Sequence, residues 1–283
     1  MKPPPLEYAR AASLDEAVQL LASAGDDAKV LAGGQSLVPM LNFRLARPTV
    51  LVDVAHIEEL RVIDLRDGHL TIGAAVRQHE AARSPLVADS CPLLSRAIAH
   101  IGHIQIRARG TVGGSVAHAD PASELGATAL ALDARMHVAS VRGRRDIDAS
   151  DFFAGPYMTE LAPDEVLVAL SFPPAPGIRT SLREFSHRAG DFALAGVAVA
   201  VEVDEGERVR RSRVAGFGVG PAPVAIEPVQ ELLDGNLLTP DLCEAAGRAA
   251  ASHVEPFEGP HASPAYRRQL FGVLVEQALR EAA

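Results

Sequence analysis

The sequence predicts an α+β fold in two parts, and three observations carry that prediction. Strand-like and helix-like segments are intermixed without the regular βαβ rhythm that builds a doubly wound sheet. The run Pro173-Pro174-Ala175-Pro176-Gly177 is the strongest punctuation in the chain and divides it into residues 1–175 and 176–283. Beyond it come two long alternating segments and then a mostly helical tail. At 283 residues the chain has room for one large domain or two modest ones, each with its own core.

From Ser13, the segment SLDEAVQLLASAG offers a cap residue, Glu16 at the third helical position, apolar residues at helical spacing and a closing Gly25. Together these predict a short capped helix. Lys29–Leu31 reads as a brief strand running into Gly33-Gly34, and Pro48–Val54 as a second strand rich in β-branched residues. After a turn at Asp67-Gly68, Leu70–Ile72 with Gly73 continues the β character. Val87–Ala99 and Ala122–Leu132 carry helical patterns, whereas Met136–Val141 and Val166–Phe172 read as strands. Between them, Arg142-Gly143-Arg144-Arg145 is either a solvated hairpin turn or a partner contact. Past the proline run, Ala195–Val203 and Arg208–Val219 alternate as strands, and Pro240–Ser252 and Pro264–Ala282 read as helices.

Composition narrows the function. The net charge of -9 disfavours a polyanionic partner, and 4% aromatic residues with no Trp leave little for base stacking, so nucleic-acid binding is not expected. Cys91 and Cys243 stand far apart and in no CxxC pattern, so they hold no zinc or iron–sulfur centre by themselves and read as free thiols in a reducing compartment. The N-terminal MKPPPLEYARAAS lacks an apolar export core, and no apolar run approaches the roughly 18 residues that span a bilayer. A cytoplasmic protein without stable membrane insertion is expected.

Two glycine pairs carry the chemistry. Ala32-Gly33-Gly34-Gln35-Ser36 follows a strand directly, where glycines let the backbone turn sharply and bring N–H groups close to phosphate oxygens. Thr111-Val112-Gly113-Gly114-Ser115 repeats the arrangement about 80 residues later and leads into Asp120-Pro121. Neither matches GxGxxG or GxxxxGK[ST], so neither a dinucleotide Rossmann site nor a P-loop is indicated. As a pair, they can grip the two phosphates of a dinucleotide from opposite sides.

The segments AGGQS, IGHIQIRARGTVGGSVAHADPASELGATALALDA and HRAGDFALAGVAVAV closely resemble the FAD-binding subunit of the xanthine dehydrogenase and carbon monoxide dehydrogenase family. The resemblance runs from about Leu6 to the C-terminal helices. It implies a two-lobed FAD-binding domain of the vanillyl-alcohol-oxidase type over residues 1–175, split near 55–60, and a smaller α+β domain over 176–283. It also implies that Ala32, Gly33, Gly34, Gln35 and Ser36, with Thr111, Val112, Gly113, Gly114 and Ser115, wrap the FAD pyrophosphate. Leu37, Ile101, Asp120, Leu161, Arg188 and Phe192 complete the cofactor site by the same resemblance. The implied partners are an iron–sulfur small subunit and a molybdopterin large subunit, assembled as a dimer of heterotrimers, so that molybdopterin and [2Fe–2S] clusters lie only on partner chains. Three departures stand out: Ala108 where the family often has Asn, Gln35 where many relatives have His, and Phe192 where many have Tyr. Gln35 cannot form the covalent flavin link that such a His makes in related flavoproteins, so FAD is expected to be non-covalent.

Several residues keep two readings. Asp120 either binds a ribose or adenine-side group, as the resemblance implies, or starts the helix at Pro121; Arg107 and Arg109 either neutralise phosphate or form ion pairs between lobes. Arg188, Asp191 and Phe192 form either a solvated turn or part of the flavin site. His100, His103 and His118 match no metal-binding spacing and read as structural. The expected activity is a flavin electron relay with no catalytic residue of its own for the organic substrate. The rivals are a self-sufficient FAD-dependent oxidoreductase and a non-catalytic assembly module.

Overall fold

The computed structural model describes residues 2–283. Short β-prone stretches at Glu7–Arg10 (β1), Ala28–Leu31 (β2) and Val50–Asp53 (β3) form a parallel sheet in the order β1-β3-β2. Helix α1 (Leu14–Ala24) covers it with Leu14, Ala17, Val18 and Leu21 buried. As predicted, Ser13 caps α1: its hydroxyl accepts from Glu16 N at 3.1 Å, an arrangement worth about 1 kcal/mol. The short helix α2 (Leu37–Asn42) lies between β2 and β3.

The second lobe is a five-stranded antiparallel sheet, in the order β4-β5-β10-β6-β7. Its strands are Ile63–Arg66 (β4), His69–Gly73 (β5), Arg135–Ser140 (β6), Gly143–Asp148 (β7) and Val166–Phe172 (β10). Six short helices cross between β5 and β6: Gln78–Arg83 (α3), Pro85–Ser90 (α4), Pro92–His100 (α5), Ile104–Arg109 (α6), Val112–His118 (α7) and Glu124–Ala131 (α8). A one-turn helix, Ala149–Phe152 (α9), and the hairpin Phe153–Gly155 (β8) with Met158–Thr159 (β9) connect β7 to β10.

Three expectations change here. The single helix over Val87–Ala99 is broken, because Pro92 has no N–H to continue α4 and instead opens α5. The helix expected from Ala122 starts at Glu124, since Asp120 Oδ1 accepts from Ala122 N at 2.9 Å and holds a turn there. The expected hairpin turn is present but tighter, with Ser140 paired to Gly143 across Val141-Arg142, so Arg144 and Arg145 already belong to β7. They pair with Glu59 and Glu165, each at 2.8 Å, and Arg142 pairs with Asp164.

The C-terminal part is an antiparallel sheet of Arg179–Ser186 (β11), Ala193–Val203 (β12), Val209–Phe217 (β13) and Val224–Ala225 (β14). Helices Glu227–Leu233 (α10), Pro240–His253 (α11) and Pro264–Ala282 (α12) pack on it. Residues Ala193–Val201 are all buried, and the two-residue period of the strand sorts them. Val197, Val199 and Val201 enter the core under α10–α12, whereas Ala198 and Ala200 enter the main core shared with α5 and α8. The two parts of the chain therefore share one apolar core, while the C-terminal part keeps a second of its own under α10–α12. Gly218 N adds a bond to Pro121 O at 2.7 Å across the same junction.

Candidate functional site

A cavity of about 730 Å³ opens between the parallel sheet, α6–α8, the β8–β9 hairpin and the segment Gly190–Phe192. That volume is in the range of small-molecule and cofactor sites. Ala32–Ser36 leaves β2 and runs along one wall before α2 begins. The backbone N–H groups of Gly33, Gly34, Gln35, Ser36 and Leu37 meet no acceptor among the described residues. Five consecutive donors without an acceptor in the described chain are open to one from outside it. The cradle is tight: a Cβ at Gly33 would overlap the Arg109 carbonyl oxygen and lie 2.8 Å from Gly110 Cα. Gly34 has φ +72°, which glycine adopts at no steric cost. The Gln35 side chain folds back, its Nε2 donating to Gly33 O at 3.3 Å.

The second glycine pair is not a loop of free amides. It forms the first turn of α7, with Thr111 as the cap accepting from Gly114 N at 2.9 Å. Val112 N donates to Val76 O, Gly113 N to Ala74 O and Ser115 N to Thr111 O. Gly113 is required by packing, because a Cβ there would overlap Ala74 Cβ and sit 2.5 Å from its Cα. What α7 and its cap offer the cavity is the bare surface of Gly114, the hydroxyl residues Thr111 and Ser115, and Ala117 and His118.

Of the residues expected at the cofactor, Ala32, Gly33, Gly34, Gln35, Ser36, Leu37, Ile101, Thr111, Gly114, Ser115, Asp120, Leu161 and Phe192 line this one cavity. Val112 and Gly113 lie behind the wall, buried against the lobe's own sheet. Arg188 is not in the wall: its carbonyl accepts from Ser186 Oγ and Asp191 N, shaping the turn that presents Phe192. Arg107 ties its guanidinium to Ile101 O (2.7 Å) and Gly102 O (3.1 Å), and the Arg109 carbonyl accepts from Arg77, so neither arginine faces the cavity.

Other lining residues carried no signal in the sequence. Lys29 is the only Lys or Arg on the wall among the described residues. Gln78, 3% exposed, has an Oε1 with no partner among the described residues. Glu124 is buried at the start of α8. Tyr157 lines it too, and so do His103 and His118, which the sequence alone reads as structural. Among the described residues no three His, Cys, Asp or Glu converge as a metal site.

Burial, and then the negative charges of Glu184 and Asp120, push the Glu124 carboxyl from 4.5 up to about 8. Between those values the unfolded chain has lost this proton while the fold retains it. Raising the pH through that window therefore destabilises the flavin-free protein. Glu184, raised by burial to about 7, acts in the same direction. We expect the unfolding midpoint of Glu124→Gln to exceed that of wild type increasingly as pH rises from 4.5 to about 8, read as the difference between two thermal-melt series. A constant difference would contradict a buried neutral carboxyl.

Two family models cover the chain: the FAD binding domain in molybdopterin dehydrogenase over residues 4–175, and the CO dehydrogenase flavoprotein C-terminal domain over residues 180–282. The 6-hydroxypseudooxynicotine dehydrogenase complex subunit alpha of Paenarthrobacter nicotinovorans is 39% identical, over all of this chain and 96% of its own length. Among solved structures, carbon monoxide dehydrogenase from Hydrogenophaga pseudoflava superposes with a TM-score of 0.97 at 37% identity, over 100% of this chain and 98% of that one. Quinoline 2-oxidoreductase from Pseudomonas putida 86 superposes with a TM-score of 0.94 at 35% identity, over 100% and 98%.

Proposed function

The chain belongs to the family of FAD-binding flavoprotein subunits of molybdenum hydroxylases, and from that premise we propose how its residues hold the cofactor and what they contribute to electron transfer. The chain is the flavoprotein of an oxidoreductase complex, taking electrons from [2Fe–2S] clusters of a partner subunit and passing them to an external acceptor. The observation that carries the assignment of the site is the run of five unpartnered amides, Gly33 to Leu37, on the wall of the cavity.

In this reading the amide run holds the pyrophosphate, with Ser36 adding a hydroxyl and Gly114 allowing close approach from the other side. Ala28, Val30, Leu161 and Pro163 also line the cavity and offer apolar surface to the adenosine. Ile101, His118, Tyr157 and Phe192 line it as well, the last 74% exposed. When bound there, FAD supplies a redox centre that takes electrons singly and releases them in pairs. The protein's share is position, exclusion of water and a fixed electrostatic environment. Burial holds the His118 imidazole below its ordinary value and so favours its neutral form beside the ring.

The partners in this proposal are an iron–sulfur small subunit and a molybdopterin large subunit in a dimer of heterotrimers, located in the cytoplasm. No described helix is long and apolar enough to cross a membrane. Purified protein is expected to carry about one FAD per chain, bound without a covalent link because Gln35 offers no attachment point. Acid precipitation checks this: all yellow colour should move to the supernatant as FAD. Colour retained in the pellet, or FMN as the sole flavin, contradicts it.

A further inference from the structure

Three strands of the five-stranded sheet bring an acid, an imidazole and a hydroxyl into one line. His137 on β6 lies opposite Asp146 on β7. It is diagonal to Ser171 on β10, whose own partners in register are Arg135 and Thr71. His137 Nδ1 is 2.7 Å from Asp146 Oδ1, and His137 Nε2 is 2.9 Å from Ser171 Oγ. A carboxylate only accepts, so Nδ1 carries the proton of the neutral ring and Nε2 is left to accept from the Ser171 hydroxyl. This order of contacts is the one that activates a serine as a nucleophile, and it is recognised by geometry rather than by place in the sequence. None of the three residues lines the cavity assigned to FAD.

The register of the sheet explains how they meet. Ala169, opposite His137, is too small to block the imidazole, which reaches past it to Ser171. Diagonal neighbours on adjacent strands are about 7–8 Å apart, within the span of such a side chain. Ala139 and Ala169 on the same face are buried in the core that α1 covers. His137 and Asp146 keep 34% and 50% of their side chains exposed, so the line stands at the edge of that cover, open to a reagent. Two donors flank Ser171 directly across the adjacent strands, the Thr71 hydroxyl and the Arg135 guanidinium. Arg135 bonds Asp148 through Nε at 2.9 Å, and its two terminal nitrogens meet no acceptor among the described residues. An oxyanion forming on an acyl group at Ser171 has these donors beside it.

We propose that Ser171, His137 and Asp146 form an acyl-transfer site, separate from the FAD cavity, that cleaves small activated carboxylic esters. Ser171 Oγ bonds to the acyl carbon while its proton passes to His137 Nε2. The ester C–O bond breaks, and the leaving alcohol takes that proton. Water then attacks the acyl-serine with the same imidazole as base, releasing the acid and restoring the hydroxyl. Because the site is open to solvent, binding contributes little and the leaving group must be a good one, as in an aryl acetate.

The flavin-loaded full chain tests this with 4-nitrophenyl acetate and an alkyl fluorophosphonate. Above the buffer rate, Ser171→Ala and His137→Gln should each lower nitrophenolate release roughly a hundredfold, the scale of a lost general base. Asp146→Asn should act in the same direction, since an amide can donate to Nδ1 and select the tautomer whose Nε2 no longer accepts. His69→Gln, an exposed histidine on β5 of the same sheet, should keep the wild-type rate. Peptide mass mapping should find the phosphonyl adduct on Ser171 in wild type and not in His137→Gln, and the flavin-to-protein ratio should be equal throughout. The mapping on wild type needs no variant to fold. No adduct on Ser171 in wild type would overturn the proposal, as would equal ester cleavage by wild type and Ser171→Ala. Equal labelling of wild type and folded His137→Gln would reduce Ser171 to an accessible hydroxyl and overturn it as well.

Discussion

Gly33→Val is expected to abolish measurable FAD binding while leaving a folded chain. The side chain would have to occupy space already held by the Arg109 carbonyl and Gly110 Cα. The loop must then move away from α6, and the amides of Gly33 to Leu37 no longer converge. Each charge-assisted bond lost costs about 1.5–3 kcal/mol, so losing two weakens FAD binding by at least about a hundredfold. Gly155 is the matched control, because a Cβ there meets nothing within 4 Å. Gly113→Val is the contrasting case: it collides with Ala74 inside the core, and its first symptom should be lost stability rather than lost flavin. Flavin-to-protein absorbance ratios beside far-ultraviolet circular dichroism separate the three. Full occupancy in Gly33→Val would show that the phosphate loop lies elsewhere.

The second large effect concerns isolation against assembly. Alone, the chain should show no reduction of its flavin by a purine, N-heterocycle, aldehyde or carbon monoxide, yet it should take electrons from dithionite and pass them to a dye. The reason is the ligand inventory. A [2Fe–2S] cluster takes four protein ligands, and the two cysteines here are buried in different cores, with burial pushing the Cys91 thiol up to about 12. Adding the iron–sulfur and molybdopterin subunits should raise the substrate-dependent rate of flavin bleaching by ~10³-fold or more, well within what an enzymatic step supplies. Anaerobic stopped-flow at the flavin band measures both states. Rapid bleaching of the lone chain by an organic substrate would replace the relay with a self-sufficient flavoenzyme.

What the sequence made legible follows the range of the forces involved. The cap at Ser13 and the glycine pair after β2 are local features, decided by residues within a few positions, and both were readable. The break at Pro92 was equally local, but a strong apolar period on either side of it concealed it. Gly113 and Gly114 read as a loop because glycine is a poor helix former. Their place in α7 depends on Ala74, about 40 residues away, which leaves no space for a side chain. The cavity wall was legible where a motif carried it and invisible where topology did. Glu124 looks like an ordinary first-turn acid on a helix, and only the tertiary fold buries it. Tyr157 looks like a hairpin residue, and its left-handed backbone comes from a bond to Ala119 across the lobe. Arg188, expected at the cofactor from the family resemblance, does not line the cavity; its carbonyl holds the turn before Phe192.

The two-faced strand β12 has a consequence for how such a protein can change over time. Its alanines are the floor on which α8 rests, its valines are the roof over α12, and Phe192 stands immediately before it at the cavity mouth. The halves matched by separate family models are thus not interchangeable cassettes. A recombination event at residues 176–179 that imported a foreign C-terminal half with one larger side chain at Ala198 or Ala200 would displace α8, and with it Glu124 and the flavin wall. Selection therefore sees the pair as one inherited unit, and a functional chimaera of two relatives should need its crossover moved or α8 exchanged together with β12.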